Sequence, residues 1–308
     1  MLITSTEFTW ASINIATDLM TSGFLWLLLL GSLGGLLAGL LGVGGGMLFI
    51  PVITTYLLQY DISSAEMVKF TLANSIALVF MSGVSGTFRQ IKMGNWQWKQ
   101  SLTIGIPGAI SNFFMTQAIQ NGNWYQKEVF QTVFLGFLVL SILNMIFGKS
   151  KTSENSHNQG NGNADTGENS VPYHFSLNHD WPSMLVGIFA GTIVALSGLG
   201  GGIIMVPLFL MILKKSMHSA TALSLSIVPI LSISALVKYI SITPTHQISQ
   251  YQSGYLLWIM LIPMLIGVIF FSSLGQKIAT KVPVLWLRVI FALLSAFILI
   301  KTLLELYS

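Results

Sequence analysis

The chain has 308 residues, 53% of them hydrophobic and only 8% charged, with a mean hydropathy of +0.74. A soluble domain carries about 25% charged residues, so charge this sparse excludes a water-solvated globule and points to a chain solvated mostly by lipid. The net charge of +4 reads as the basic excess of cytoplasmic loops rather than a nucleic-acid surface, and the absence of cysteine excludes disulfides, thiolate nucleophiles and thiolate metal sites.

Residues 1–23 lack the basic n-region of a signal peptide and hold Glu7 and Asp18 ahead of the first apolar run. They read as an extracytoplasmic N-terminal segment. Uncharged apolar runs then predict helices near 24–43, 46–59, 68–88, 99–119 and 127–148. Residues 149–180 form a polar stretch whose core, Thr152 to Ser170, has Ala164 as its one apolar residue. Such a segment cannot bury enough surface to offset chain entropy, so it reads as a largely disordered linker. His157, His174 and His179 read as solvated linker histidines, not a metal site. Further helices are predicted near 182–199, 202–214, 219–239, 255–275 and 284–306. The runs 46–59 and 202–214 are short for a crossing of about 20 residues.

Two glycine-rich elements stand at matching places in this order. The first is Gly42-Val43-Gly44-Gly45-Gly46 with Pro51 downstream, and the second is Gly198-Leu199-Gly200-Gly201-Gly202 with Pro207 downstream. Consecutive glycines are poor helix formers. At membrane depth, unwound backbone is tolerated only where protein or a water-filled cavity satisfies it. Paired interruptions in two halves are the sequence pointer to a transporter's substrate site. The match extends further. Gly31, Gly35 and Pro107 pair with Gly187, Gly191 and Pro263 at the same offset as the glycine elements. After a shift in one loop, Ser75 aligns with Ser224, Ser85 with Ser234 and Arg89 with Lys238.

Basic residues set the orientation. Arg89, Lys92, Lys99, Lys149, Lys151, Lys214, Lys215, Lys277 and Lys281 all fall on one side if both termini are extracytoplasmic and the linker is cytoplasmic. Lys127, Lys238 and Lys301 then fall on the other side. Equivalent loops of the two halves face opposite ways. The expected fold is therefore an all-α polytopic membrane protein of two inverted-topology repeats, 24–148 and 181–308, about five helical segments each, with broken helices at the paired glycine motifs.

A helix that begins inside the membrane offers unpaired N–H groups and the positive end of its dipole, and binds anions. The expected substrate-binding residues are Gly44, Gly45, Gly46, Gly200, Gly201 and Gly202, with Asn74, Ser75, Ser224 and Ser226 completing the shell around a small oxyanion. The stripe Gly31, Gly35, Gly39 reads as close helix packing instead. Lys69 and His218, which open the two third helices, read as interfacial anchors, and Arg288 as a snorkelling residue. Trp96, Trp98, Trp124, Trp181 and Trp258 read as an aromatic belt. Asn112, Gln117 and Asn144 read as interhelical hydrogen-bonding groups.

At these residues the chain resembles the sulfite exporter TauE/SafE family of membrane permeases. The resemblance rests on the duplicated G-x-G-G-G-x4-P elements, on Asn74-Ser75 and Leu223-Ser224 where that family often has Gly-Thr-Ser, and on Gly94-Asn95-Trp96-Gln97-Trp98. It covers about residues 24–148 and 182–306. It implies export of a small sulfur-containing anion, such as sulfite or an organosulfonate, across a bacterial inner membrane. The leading expectation is a secondary transporter working by alternating access, with a small anionic substrate and the lipid bilayer as its partners and no nucleic acid. A coupling proton or sodium ion fits this class, although no residue identifies one, and the oligomeric state is not encoded. The alternatives are a passive small-anion channel and a transporter of a carboxylate or other small anion. An intramembrane enzyme would need a nucleophile or metal cluster at depth. The chain has no His-Glu-x-x-His and no carboxylate clearly in the middle of a span, so neither enzyme activity, cofactor nor metal is expected. A receptor or scaffold acting through 149–180 is the remaining class.

Overall fold

The computed structural model describes residues 5–42, 44–94, 96–122, 124–147, 177–200, 202–213 and 217–279, with positions 282, 289, 293, 296, 297, 299 and 300 beyond them. Most of the expected linker, Gly201, Lys214, Lys215, Lys281, Arg288, Lys301 and nearly all of the expected tenth helix lie outside the described residues. So do the side chains of His179, His218 and Asn144.

The elements run α1 (Ser5–Leu41), α2 (Gly46–Leu57), α3 (Ser64–Lys92), α4 (Trp98–Asn121), α5 (Lys127–Phe147), α6 (Leu177–Ser197), α7 (Gly202–Met211), α8 (Met217–Ser241), β1 (Gln252–Ser253), β2 (Leu256–Leu257) and α9 (Trp258–Ala279). Local chemistry explains their bounds. Ser63 caps α3 by accepting from the Glu66 N–H at 3.4 Å, the Ser-x-x-Glu arrangement of a capping box. Arg89 and Lys92 in its last turn complement the negative end of the helix dipole.

Several boundaries differ from those the sequence predicts, α6 starting at Leu177 instead of near 182 and α3 spanning Ser64–Lys92 instead of 68–88 among them, and two differences have a plain local cause. α1 begins at Ser5, not near 24, because no glycine or proline interrupts 5–22. α9 begins at Trp258, not near 255, because Gly254 turns at φ +57° and pairs β1 with β2 in an antiparallel two-residue ladder. That ladder is the one departure from helix among the described regular elements.

Four described segments are long and apolar enough to cross a membrane: Gly23–Leu41, Ser64–Lys92, Ser219–Ser241 and Trp258–Ala279. The surface supports lipid as their solvent. Trp26, Phe114 and Phe270 are 67–70% exposed, whereas Thr71, Asn74, Ser75, Asn112 and Ser224 are buried. α2 and α7 have 12 and 10 residues. At 1.5 Å per residue they extend only about 18 and 15 Å, roughly half of a 30 Å hydrocarbon core.

The helices pair across the sequence halves. Glycines let α1 lie against α9: a methyl group added to Gly31, Gly35 or Gly39 would fall 2.4 Å from Met264 O, 2.7 Å from Val268 Cα and 2.0 Å from Ser272 O respectively. α4 lies against α6 in the same way, with Gly187 against Ile104 and Gly191 against Gly108. In both pairs the residue numbers rise together, so the partners run parallel. α3 and α8 run antiparallel, with Gly83 against Pro229 and Gly86 against Leu225. Two hydroxyls tie α3 to α9: Ser272 Oγ donates to Ser82 O at 3.2 Å and Ser85 Oγ donates to Ile269 O at 2.9 Å.

Candidate functional site

α1 stops at Leu41 and α2 starts at Gly46. In between, Gly42, Gly44 and Gly45 take φ of +69°, +79° and +78°, a left-handed region that L side chains rarely occupy. α6 stops at Ser197 and α7 starts at Gly202, with Gly198 at φ +64° and Gly200 at +77°. Every described residue of these two glycine turns is buried.

The two turns touch each other. A methyl group on Gly46 would lie 2.6 Å from Leu199 Cα and 2.7 Å from Gly198 O, and one on Gly44 would lie 3.8 Å from Gly200 Cα. Val79 of α3 sits over both, 3.1 Å from the added methyl of Gly44 and 2.3 Å from that of Gly200. Only glycine permits this approach of backbone to backbone. In this conformation Gly46 and Leu199 are in contact, so no ion-sized gap separates them.

The third helix of each half holds the turn of the other. Ser75 Oγ on α3 donates to Gly198 O at 2.8 Å, and Ser224 Oγ on α8 donates to Gly42 O at 3.1 Å. The apolar contacts follow suit: Leu72 of α3 packs on Gly198, and Thr221 of α8 packs on Gly42. All four hydroxyl and carbonyl partners are buried, so each bond satisfies a carbonyl that water cannot reach.

The remaining expected residues have other neighbours. Asn74 is fully buried. Its amide donates to Phe70 O at 2.8 Å and Tyr255 O at 2.9 Å, and its carbonyl accepts from Leu257 N at 3.0 Å. It clamps the hairpin that leads into α9. Ser226 donates to Ala222 O within its own helix. Lys69 reaches Gln120 O at 3.1 Å and so ties α3 to the end of α4. Lys238 lies over the Phe113 ring. Asn112 Oδ1 accepts from Ser234 Oγ on α8 at 3.4 Å.

One cross-half contact carries no signature in the sequence. Glu66, 5% exposed, accepts from Thr245 N at 2.7 Å and pairs with His246 Nδ1. This fastens the start of α3 to the α8–β1 loop. Beside it, burial and the Glu66 charge push the Tyr255 phenol up to about 12, so that group stays protonated and neutral at physiological pH. Only the sequence spacing of Ser75 and Ser224 could have revealed the reciprocal serine bonds, since both hydroxyls align in the duplicated pattern.

Among the described residues no three His, Cys, Asp or Glu side chains group as metal ligands. Among the described residues, the side chains nearest the turns include Leu72, Val79 and Thr221, and none of those nearest side chains is ionisable. The chemistry available there is that of the backbone: Leu48 N and Phe49 N of α2 donate to Gly45 O at 3.0 and 3.3 Å, and both helix starts present positive dipole ends.

The family model described as sulfite exporter TauE/SafE matches residues 27–302. Among curated relatives, a "Probable membrane transporter protein" of Methanocaldococcus jannaschii is 28% identical over 263 residues, 85% of this chain and 89% of its own. One of Haemophilus influenzae is 26% identical over 271 residues, 86% and 92% of the two chains. YunE of Bacillus subtilis, with the same description, is 22% identical over 279 residues, 88% and 96%. No solved structure matches the chain.

Proposed function

The chain belongs to the sulfite exporter TauE/SafE family, and from that premise we propose that it is a secondary transporter exporting a small sulfur-containing oxyanion, sulfite or an organosulfonate, by alternating access around the two glycine turns. That it is a multi-pass membrane transporter and not an enzyme follows from the family and from its relatives. The substrate and the mechanism are our reading, and one observation carries them. Two short helices start from buried glycine turns that touch, and no anionic side chain is among the described residues nearest the contact. Positive dipole ends unscreened by carboxylates favour an anion.

Several features support an inverted repeat. The serine-to-glycine bonds are reciprocal, and the pairing of α1 with α9 is matched by that of α4 with α6. The basic clusters argue for extracytoplasmic termini, a cytoplasmic linker and residence in the bacterial inner membrane. Because glycines fuse α1 to α9 and α4 to α6, the bodies that rock are these swapped pairs about α3 and α8, rather than the sequence halves. When they part, the turns separate and their amides meet the substrate.

The test is flux of sulfite and sulfoacetate in proteoliposomes, with counterflow. A transporter accelerates uptake of labelled substrate when preloaded with unlabelled substrate. A passive channel gives no counterflow, and that result would overturn alternating access. Flux of a carboxylate but of neither sulfur anion would overturn the substrate class.

A further inference from the structure

A second polar feature lies apart from the glycine turns. α2, α3 and α5 enclose a cleft of about 430 Å³, its open mouth included, lined by Ile50, Thr54, Thr71, Lys127, Gln131 and Phe134 among others. Lys127 stands at the start of α5 and is half-buried. Among the described residues no carboxylate pairs with it. Gln131, one helical turn further, is only 7% exposed. Neither its amide nor the Thr54 hydroxyl has a hydrogen-bond partner among the described residues. An anion in the cleft would pair with the Lys127 ammonium and accept from the Gln131 amide and the Thr54 hydroxyl.

The position of the cleft gives it a purpose. Ile50 lines it and also abuts the second glycine turn, since a methyl group on Gly198 would lie 3.6 Å from Ile50 Cδ1. The cleft therefore runs from Lys127 to the wall of that turn. Lys127 is at the end of the bundle opposite Arg89, Lys92 and Lys99, the end that the orientation proposed above makes extracytoplasmic. A lysine there runs against the usual bias, and an electrostatic role in the substrate path accounts for it.

We propose that this cleft is an extracytoplasmic anion vestibule, an outer subsite for the small oxyanion between the second glycine turn and bulk solution. Lys127 supplies the charge, and Gln131 and Thr54 supply hydrogen-bond donors. This rests on the transport reading and extends it to a route.

The chain has no cysteine, so Gln131→Cys places a single thiol in the cleft. The purified full-length protein is reacted with an anionic methanethiosulfonate (ethylsulfonate) and a cationic one (ethyltrimethylammonium). The anionic reagent is expected to react faster relative to free thiol in solution, and sulfoacetate to slow it. Adding Lys127→Gln should lower the anionic-to-cationic rate ratio by about fivefold, from loss of one charge a few ångström away in a largely aqueous medium. In proteoliposomes, Lys127→Gln alone should raise the KM for sulfoacetate and leave the maximal rate nearly unchanged. Should Gln131→Cys fail to fold, Thr54→Cys on the facing wall serves as the reporter. A rate ratio indifferent to Lys127, or no protection by sulfoacetate, overturns the vestibule even if wild-type transport is intact. If the ratio responds and the wild type moves neither sulfite nor sulfoacetate, the cleft binds anions and the transport reading is what fails.

Discussion

Gly46→Ala isolates the contact between the two glycine turns. Gly46 is the first residue of α2 and is absent from the glycines at positive φ, so alanine meets no backbone strain there. Within a helix that exchange ordinarily gains roughly 0.5–1 kcal/mol. Here the new methyl would lie 2.6 Å from Leu199 Cα, 2.7 Å from Gly198 O and 2.8 Å from Leu199 C. All three are backbone atoms and none can swing aside as a side chain would. Carbon atoms prefer a separation of about 3.5–4.0 Å, so the turns must part by roughly 1 Å. Overpacking of this kind costs about 1–3 kcal/mol, which reverses the sign of the helix effect. Gly136→Ala is the control: Gly136 lies within α5 with nothing within 4 Å of the added methyl. Thermal unfolding in detergent should show Gly136→Ala equal to or more stable than wild type and Gly46→Ala less stable. Sulfite flux should fall at least tenfold in Gly46→Ala and stay unchanged in the control. If both variants match the wild type in stability and flux, the turns do not meet as described and the reasoning fails.

The reciprocal serine bonds predict that Ser75→Ala and Ser224→Ala each cost about 1–3 kcal/mol, because each strands a buried glycine carbonyl; unfolding midpoints in detergent read this out. Asn74→Leu removes the partners of Tyr255 O and Leu257 N together, so it should cost more than either serine change. Its signature is rapid proteolysis or hydrogen exchange confined to the 252–257 hairpin. Gln276, 4% exposed, has neither end of its amide hydrogen-bonded to a described residue. Gln276→Leu should therefore leave stability equal or raise it by up to about 1–3 kcal/mol, and a lower unfolding temperature would show that the amide has a partner.

Periodicity of charge and glycine made much of this protein legible in one dimension. Charge is so costly in lipid that the long uncharged runs had to be helices, and the observed α3, α4, α5 and α8 fall within a few residues of those runs. The stripe Gly31, Gly35, Gly39 was readable as packing because small residues at one-turn spacing have little other use, and all three do abut α9. What the residues could not state was the partner. Helix pairing joins positions far apart in the chain, Gly31 with Met264 and Gly187 with Ile104, so only the folded chain puts α1 beside α9 and α6 beside α4.

The same division holds at the candidate site. Runs of glycine announced where the backbone leaves the helix, because local conformational freedom is written in residue type. The destinations of the polar side chains depend on what lies across the gap. Asn74 and Ser75 are neighbours in sequence, yet one clamps the hairpin before α9 and the other holds Gly198 O. Glu66, in the first turn of α3, is buried against Thr245 and His246, which lie about 180 residues further along the chain. Sequence alone determined a lipid-solvated helical chain with two glycine turns in register. Tertiary structure decided that the turns meet and that each is held by a serine of the other half, because hydrogen bonding is fixed by proximity in space.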